Sequence, residues 1–351
     1  MTDEPQSLAQ KRRPRRGTGR VTIADVARAA GMSMHTVSRV LNTPENVPKK
    51  TVALIREAIA KTGYVPNLLA GGLASGRSRL VAVIVPAISS PVFLETLQVL
   101  GDTLERHGYQ MMLVQNAYDP AQEYRTLSNV LGRQPDGIVL MRLVITEEAR
   151  HLLKSSRIPV IEAWDLCDNP VDMLIGFSHE ASGAAVADFL QASGRSRPAL
   201  ILGDDPRASR RANSFRDAAL RGGWLAPDMA EPVSVICKAP VPLGDSRKAM
   251  ADILAREPKV DSVFCSTDII AMGVLLEAAA HGRRVPEDIA VIGFGDHPLA
   301  AATTPALTTV RIDGSNIGAR AGNYIVQRVE GRPVEQPIVD IGFQLIRRGS
   351  A

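Results

Sequence analysis

Two spacings of apolar residues divide the chain. Between residues 21 and 62, apolar residues recur every three to four positions, which is the spacing of amphipathic helices. From Leu80 onward, short runs rich in Val, Ile and Leu alternate with longer helical patterns. Such alternation is typical of βαβ units, whose parallel sheets are covered by helices on both faces. The pattern therefore predicts a small all-α domain followed by a large α/β body.

Three short helices are predicted in the small domain. Thr22 precedes the first, with Asp25 at the capping-box position, and Gly31 ends it. Ser33 can cap the second helix, and the third spans 51–62. Two short helices joined by a short turn containing glycine have the spacing of a helix-turn-helix. The apolar positions expected to form the core of this domain are Ile23, Val26, Ala27, Ala30, Val37, Val40, Leu41, Val52, Ile55, Ala58 and Ile59.

The second helix of such a unit enters the major groove of DNA, where residues near its N-terminus meet base edges. Arg39 can pair bidentately with guanine, His35 can donate or accept, and Met34 can touch a thymine methyl group. These three residues are the candidates for base reading, although they could also be ordinary exposed residues of a three-helix unit. Thr36 and Ser38 are expected to meet phosphates or the turn. The remaining candidates for DNA contact are Thr22, Ser33 and Asn42.

The charge distribution supports a nucleic-acid partner for the small domain. The net charge of the whole chain is only +4, but residues 1–79 hold fourteen Lys and Arg against five Asp and Glu. A basic segment joined to a slightly acidic body is the electrostatic signature of a nucleic-acid-binding module. Residues 1–20 by themselves are interpreted as a disordered basic tail.

The body is long enough for two doubly wound subdomains with parallel sheets. Ligands bind such sheets beyond the carboxyl ends of the strands, so the loops after the strands form the expected cleft. The predicted strands are 80–85, 110–114, 137–141, 159–163, 198–202, 233–237, 262–265 and 289–293, and the predicted helices include 93–107, 182–191, 208–221 and 272–281.

Polar and aromatic residues in these loops are the candidate ligand contacts. They are Ser89, Ser90, Phe93, Arg142, Trp164, Asp165, Arg210, Arg211, Thr267, Asp268, Asp296 and His297. Two of them have a competing interpretation, because Asp268 could cap the helix that begins there and Arg142 could be a solvated charge at a strand end. An arginine in the cleft would favour an anionic ligand, since a guanidinium pairs bidentately with a carboxylate.

Other classes of protein have less support. Cys167, Cys237 and Cys265 lie far apart and offer neither a disulfide framework nor metal-ligand spacing, which favours a reducing compartment. The basic N-terminus precedes no apolar segment, and the apolar runs are only strand-length, so neither a secretory signal nor a membrane span is expected. No nucleophile elbow, phosphate-binding loop, dinucleotide fingerprint or HExxH motif indicates an enzyme. We therefore expect a cytoplasmic protein that needs no cofactor, metal or membrane.

Four segments carry a resemblance to a known family. They are VTIADVA at 21–27, AGMS at 30–33, TVSRVLN at 36–42 and GYVPN at 63–67. Together they resemble the headpiece and hinge of the LacI/GalR repressor family. The resemblance implies that hinge helices from two subunits pair in the DNA minor groove, where Asn67 and Ala70 contact DNA and Leu73 wedges into the central base step. Gly71 and Gly72 each weaken such a helix by about 1 kcal/mol, so a flexible linker is the alternative.

The resemblance also implies the periplasmic-binding-protein-like fold for the body. The expected domains are a helix-turn-helix domain at 21–66, a hinge helix and linker at 67–79, and a ligand-binding and dimerisation body at 80–351. Chain crossings near Phe177, Ala306 and Gln336 would divide the body into an N-subdomain (80–177 and 307–336) and a C-subdomain (178–306 and 337–351).

Within this family, Asp165, Arg211 and Asp268 match ligand-contacting positions most strongly. Sugar-binding relatives often carry an asparagine and an acid where this chain has Thr267 and Gly295, so the cleft is shifted toward an anion. The body resembles gluconate-utilisation repressors in the segments WDL at 164–166, GFSHE at 176–180 and DIGF at 340–343. A sugar acid such as gluconate or a ketogluconate is therefore the expected effector.

These observations predict a ligand-responsive transcriptional repressor of carbohydrate utilisation. It would bind a palindromic operator as a homodimer or a dimer of dimers, associate with the nucleoid when bound, and leave the operator when the effector binds. Two alternatives remain: a regulator whose ligand acts as a corepressor, and a sugar-binding solute receptor without a regulatory role.

Overall fold

The computed structural model describes residues 21–65 and 77–351, in two compact units that separate between Ser78 and Arg79. The expected basic tail at 1–20 and the expected hinge contacts Asn67, Ala70 and Leu73 lie outside the described residues. Within the described ranges, no helix is long and apolar enough to cross a membrane.

The small unit is described for residues 21–65 and contains α1 Ile23–Ala30, α2 Met34–Asn42 and α3 Lys49–Thr62. The backbone N–H of Thr22 donates to Oδ2 of Asp25 at 2.9 Å, which fixes the start of α1. Gly31 ends α1 with φ +61°, a left-handed conformation that glycine adopts without strain. Val26, Val37 and Ile55, one from each helix, are fully buried against one another. The predicted helix-turn-helix unit and its apolar core are confirmed.

The connection between α2 and α3 departs from the prediction. One turn of 3-10 helix spans Pro44–Asn46, and α3 begins at Lys49, before the predicted start at residue 51. Lys49 and Lys50 are polar and exposed, so the first turn of α3 contributes nothing to the apolar spacing from which the helix was predicted.

The large unit consists of two subdomains, each built on a six-stranded sheet. The strands are β1 Leu80–Val85, β2 Gln110–Gln115, β3 Gly137–Leu140, β4 Val160–Ala163, β5 Met173–Gly176, β6 Pro198–Gly203, β7 Val233–Cys237, β8 Ser262–Cys265, β9 Ala290–Phe294, β10 Thr308–Arg311, β11 Ile338–Asp340 and β12 Gln344–Ile346. The helices are α4 Leu94–Arg106, α5 Pro120–Leu131, α6 Glu147–Ser156, α7 His179–Ala192, α8 Pro206–Gly222, α9 Leu243–Arg256, α10 Asp268–Ala280 and α11 Gly314–Val329.

Both sheets have the topology expected of doubly wound folds. The N-subdomain order is β11-β5-β4-β3-β1-β2, with all neighbours parallel. The C-subdomain order is β12-β10-β9-β8-β6-β7, in which only β12 runs antiparallel to its neighbour. Helices α4 and α11 pack together, as do α5 with α6, α7 with α8, and α9 with α10, and buried apolar clusters join these pairs to the sheets. The predicted α/β architecture is confirmed.

The chain crosses between the two sheets three times: between β5 and α7 beside Phe177, between β10 and α11, and between β11 and β12. The second and third crossings therefore come several residues after the predicted positions near Ala306 and Gln336. The reason is pairing: Thr308 lies opposite Ile292 in the C-subdomain sheet, and Ile338 lies opposite Leu174 in the N-subdomain sheet.

Four strands were not predicted, namely β5, β10, β11 and β12. Each has only three or four residues, a length that β3, β4 and β8 share although they were predicted, so shortness makes a strand hard to recognise but does not rule it out. Their pairing with neighbouring strands is what makes them strands, and that pairing is not visible in a local pattern.

Candidate DNA-binding surface and ligand cleft

Helix α2 packs on the core of the small unit, and Ser33 caps its N-terminus. Val37 and Val40 bury one face of the helix in the core of the small unit. The Oγ of Ser33 accepts a hydrogen bond from the backbone N–H of Thr36 at 3.1 Å, so Ser33 is the N-cap. The opposite face is exposed, and Met34 there keeps 56% of its surface accessible.

Arg39 and His35 are also exposed on α2, one turn apart. One Nη of Arg39 donates to the backbone oxygen of Asn46 at 3.2 Å, and most of the five guanidinium N–H donors have no partner among the described residues. Asn42 donates to the Oγ of Ser38 at 3.2 Å. Thr22 is exposed at the start of α1, where its hydroxyl donates to Asp25 at 2.7 Å. The candidate base-reading side chains therefore share one accessible surface with free donors.

A cleft of about 720 Å³ lies between the carboxyl ends of the two sheets. Loops after β1 and β2 form its N-subdomain wall, and loops after β6, β7, β8 and β9 form its C-subdomain wall. The predicted residues that line it are Ser89, Ser90, Phe93, Thr267 and His297. Its charged or hydroxylic lining also includes Tyr118, Asp119, Asp204, Asp205, Arg207 and Lys238, none of which was predicted. Arg142, Trp164, Asp165, Arg211, Asp268 and Asp296 are not among the residues that line this cleft.

Arg207 is a cation in the cleft wall. Asp205 caps α8 by accepting from the backbone N–H of Arg207 at 3.1 Å. The guanidinium lies over two aromatic rings, 5.1 Å from the centroid of Phe93 and 5.3 Å from that of Tyr118. One Nη donates to the backbone oxygen of Met141 at 3.3 Å, across the subdomain boundary. No carboxylate in the described part of the chain forms an ion pair with Arg207.

Arg211 lies one turn further along α8, buried behind the cleft. Its guanidinium packs 3.9 Å from the centroid of Phe294, one Nη contacts Nδ1 of His179 at 2.9 Å, and the other donates to the backbone oxygen of Ser266 at 3.1 Å. Burial lowers the pKa of Arg211 to about 10, so it stays charged near neutrality. Burial and the neighbouring arginines hold the pKa of His179 well below its usual value, so neutral His179 accepts through Nδ1 and donates through Nε2 to Trp164.

Trp164 and Asp165 connect the subdomains and do not line the cleft. The Trp164 indole donates to Oγ1 of Thr96 at 3.1 Å and packs edge-on against Phe93, with ring centroids 5.2 Å apart. Asp165 is buried and pairs with Arg210 of α8. Asp165 therefore neutralises an arginine from the opposite subdomain, and it is not presented to a ligand in this arrangement.

Arg142 has neither of the two environments considered from the sequence. It is buried within the N-subdomain, where it donates to Glu123 at 2.5 Å and to Asn116 at 2.6 Å. Glu123 also accepts from the backbone N–H groups of Ile145 and Thr146. The prediction that Arg142 lies in the cleft is wrong, because this network uses its charge to hold the loop after β3.

Asp268 is buried behind the cleft floor, and the cap of α10 is Thr267. The Oγ1 of Thr267 accepts from the backbone N–H of Ile270, whereas Asp268 is the first residue of the helix. Asp268 accepts from the hydroxyl of Thr309 and from the backbone N–H of His297, both at 2.5 Å. Burial raises the pKa of Asp268 to about 6. Its carboxylate thus fixes the loop that carries His297 into the cleft.

Asp296 is also bonded to other groups of the protein. One carboxylate oxygen accepts from Arg348 at 2.7 Å, so its charge is satisfied near the C-terminus of the chain. His297, in contrast, faces the cleft, and its Nδ1 accepts from the backbone N–H of Leu299 at 3.1 Å. Of these two adjacent candidates, only His297 is available to a ligand.

The sequence signal that could have identified Arg207 was available. Arg207 and Arg211 are four residues apart and share one face of α8. The predicted helix began at residue 208, because Pro206 and Arg207 do not belong to its apolar pattern. Proline at the first helical position and Asp205 as the cap are start signals that would have brought Arg207 onto the helix.

Comparisons with known proteins agree with this architecture. Residues 22–67 match the family described as bacterial regulatory proteins, lacI family, and residues 187–351 match the periplasmic binding protein-like domain. The HTH-type transcriptional regulator GntR of Pseudomonas aeruginosa is 34% identical over 345 residues, which are 98% of this chain and 99% of that regulator. The HTH-type transcriptional regulator IdnR of Escherichia coli is 29% identical over 329 residues, which are 93% of this chain and 97% of that protein.

A solved structure is similar to this chain. The crystal structure of a transcriptional regulator, LacI family protein, from Silicibacter pomeroyi matches with a TM-score of 0.85 at 30% identity, covering 94% of this chain and 99% of that one. The relatives are transcriptional regulators, so this chain is a DNA-binding regulator and not an enzyme. The exposed helix-turn-helix, the two-subdomain body with its cleft, and these matches together establish that the chain belongs to the lacI family of bacterial regulatory proteins.

Proposed function

We propose that this regulator is a cytoplasmic repressor of sugar-acid utilisation, released from a palindromic operator when a sugar acid occupies the cleft. The cleft, between two subdomains that meet at Arg207 and Arg210, is suited to a small molecule that changes how the subdomains close. The exposed face of α2 supplies the base-reading side chains Met34, His35 and Arg39.

The guanidinium of Arg207 in the cleft wall is the observation that carries this proposal. Arg207 lies over two aromatic rings and has no acidic partner in the described part of the chain, so an anionic ligand would complete its pairing. Arg211, buried behind the cleft, adds a second guanidinium that pairs with no carboxylate among residues 21–65 and 77–351. Three aspartates in the lining, at positions 119, 204 and 205, suit the hydroxyl groups of a polyol more than a second anionic group. A monocarboxylate with several hydroxyls fits this combination.

The resemblance of the body to gluconate-utilisation repressors favours gluconate or a ketogluconate as that acid. The similarity of this chain to the relatives named GntR and IdnR is consistent with that assignment. The neutral sugar glucose lacks the carboxylate, so it should bind more weakly.

Exposed apolar residues on edge strands support a homodimer. Strand β2 lies at the edge of the N-subdomain sheet, and Met111 and Leu113 there are 36% and 37% exposed. Strand β7 lies at the edge of the C-subdomain sheet, and Ile236 there is 64% exposed. A second copy covering such residues would place two headpieces on a two-fold symmetric operator. In this proposal the hinge residues Asn67, Ala70 and Leu73 contact the minor groove between the half-sites.

The test is release of a preformed complex between the full-length protein and an operator duplex that the protein selects from random sequence. Fluorescence anisotropy is followed while gluconate, 2-ketogluconate or glucose is added. We expect an acid to release the wild-type protein at far lower concentration than glucose. Arg207→Gln should need about 10- to 100-fold more acid, because it loses a charge-assisted pair, and Arg207→Lys should fall between the two.

Arg221→Gln is the matched control, because Arg221 is exposed in the last turn of the same helix, about 20 Å along its axis from Arg207. It should behave as the wild type. Release by glucose but by neither acid would overturn the choice of an acid, and tighter operator binding in the presence of the acid would overturn the direction of regulation.

A further inference from the structure

Tyr118 places a buried hydroxyl at the cleft that has no hydrogen-bond partner in the described part of the chain. The residue follows β2, and burial raises the pKa of its phenol to about 12. The phenol is therefore a neutral O–H donor at physiological pH. A buried hydroxyl without a partner costs folding free energy, so its presence in a native fold requires an explanation.

Three arginines from the first turns of α8 lie around this hydroxyl: Arg207, Arg210 and Arg211. The nearby carboxylates of Asp165 and Asp205 are already bonded to other groups of the protein. In the described part of the chain only Arg210 has carboxylate partners, which are Asp165 and Glu180. The Nε of Arg211 is also buried without a partner. Arg207 lies over the Tyr118 ring itself. In the described part of the chain, one hydroxyl thus lacks a hydrogen-bond partner and two guanidinium groups lack a carboxylate partner at the place where the subdomains meet.

We propose that the hydroxyl of Tyr118 is a specificity-determining donor of the effector site, which hydrogen-bonds the carboxylate of a sugar acid held by Arg207. This inference rests on the function proposed above and adds a residue to its site. A carboxylate has two oxygens with about four acceptor positions, so it can accept from a phenol and a guanidinium together. A neutral sugar offers only uncharged acceptors, and hydrogen bonds to a charged acceptor are about twice as strong. Tyr118 therefore favours the acid over the sugar.

A structural role for the hydroxyl gives a different expectation for stability. If the hydroxyl held the fold together, Tyr118→Phe would lower the melting temperature of the protein without effector. If the hydroxyl instead forms a hydrogen bond only with a ligand, removing it should leave that melting temperature unchanged or raise it, because no hydrogen bond is lost and a buried polar group is removed. The ring remains in Tyr118→Phe, so the stacking with Arg207 is retained.

The experiment uses the full-length wild type, Tyr118→Phe and Tyr124→Phe. Tyr124 is exposed on α5 of the same subdomain and is the matched control. Binding of gluconate, 2-ketogluconate and glucose is measured by calorimetry without DNA, and release of the operator complex is titrated with the same compounds. We expect Tyr118→Phe to bind the acid about 10- to 100-fold more weakly, to change glucose binding by less than about threefold, and to keep its operator affinity. Tyr124→Phe should match the wild type throughout.

The outcomes separate this inference from the proposed function. If the wild type responds to a sugar acid and Tyr118→Phe responds at the same concentration, the role of Tyr118 is wrong while the proposed function stands. An equal loss for acid and glucose would also overturn it, because the hydroxyl would not then recognise the carboxylate. If no sugar acid binds the wild type, the proposed function fails and this inference fails with it.

Discussion

Replacing Arg142 with methionine should lower the free energy of unfolding of the ligand-binding body by about 3–5 kcal/mol. The ion pair that Arg142 forms with Glu123 at 2.5 Å is inaccessible to water, since the two side chains are 2% and 0% exposed. Methionine is also long and flexible and can occupy much of the same space, so the main loss is electrostatic. The carboxylate of Glu123 would remain buried without its cation. Because Glu123 keeps hydrogen bonds from Ile145 and Thr146, we expect the lower end of that range.

The loss should depend on pH in a defined direction. Burial raises the pKa of Glu123, but hydrogen bonds from the backbone of Ile145 and from Arg142 outweigh it, and the pKa of Glu123 lies below its usual value. A carboxyl with a lowered pKa in the folded protein contributes stability above its unfolded pKa of about 4.3, and this contribution is lost as the pH falls through the folded value. Without Arg142 the pKa of Glu123 should rise. The difference between the wild type and Arg142→Met should therefore be largest near pH 7 and should shrink toward pH 4.

Urea unfolding of the full-length protein, followed by tryptophan fluorescence, measures this difference. Trp164 and Trp224 are the two tryptophans of the chain, and both lie in the body, so the signal reports on that unit. Arg256→Met is the control, because Arg256 pairs with Asp252 at an exposed site and should cost less than about 1 kcal/mol. An unfolding free energy of Arg142→Met within about 1 kcal/mol of the wild type would refute the reasoning. A loss that is equal at pH 7 and pH 4 would refute the assignment to Glu123.

Three further predictions follow from the same structure. Arg39→Ala should weaken operator binding by about 1–3 kcal/mol and change binding to random DNA little, which competition with an operator duplex and a random duplex measures. An equal loss of affinity for both duplexes would mean that Arg39 contacts a phosphate and not a base. Because burial raises the pKa of Asp268 to about 6, the folded protein binds more protons than the unfolded chain between about pH 4 and 6. Relative to Asp268→Asn, the wild type should therefore lose about 3 kcal/mol of unfolding free energy as the pH rises through that window, and parallel urea-unfolding profiles would contradict this. In analytical ultracentrifugation, Leu113→Asp should convert the proposed dimer to monomers. Leu220→Asp should not, because Leu220 is exposed on α8, away from the edge strand. If both variants remained dimers, the interface would lie elsewhere.

The local pattern of the sequence was sufficient for the small domain and for most of the large one. Helix caps such as Thr22 and Ser33 and a regular apolar spacing act within a few residues, so α1 and α2 can be derived without knowing the rest of the chain. The long buried strands β1 and β6 can also be predicted from the local pattern, because they are continuous apolar runs. The loops after the predicted strands then indicate where the cleft lies, and Ser89 and Phe93 after β1 and His297 after β9 do line it.

Only the tertiary structure decided which charged residues face the cleft. Arg207 and Arg211 share one face of α8, and the packing of that helix against Phe294 buries Arg211 while Arg207 reaches the cleft wall. Arg142 follows β3 as a ligand contact would, but Glu123, nineteen residues earlier in the chain, takes its charge. Asp268 likewise accepts a hydrogen bond from Thr309, which comes from a strand of four residues with no local signal. A side chain's role in such a cleft depends on partners from distant segments, and a pattern along the chain contains no information on which of them meet.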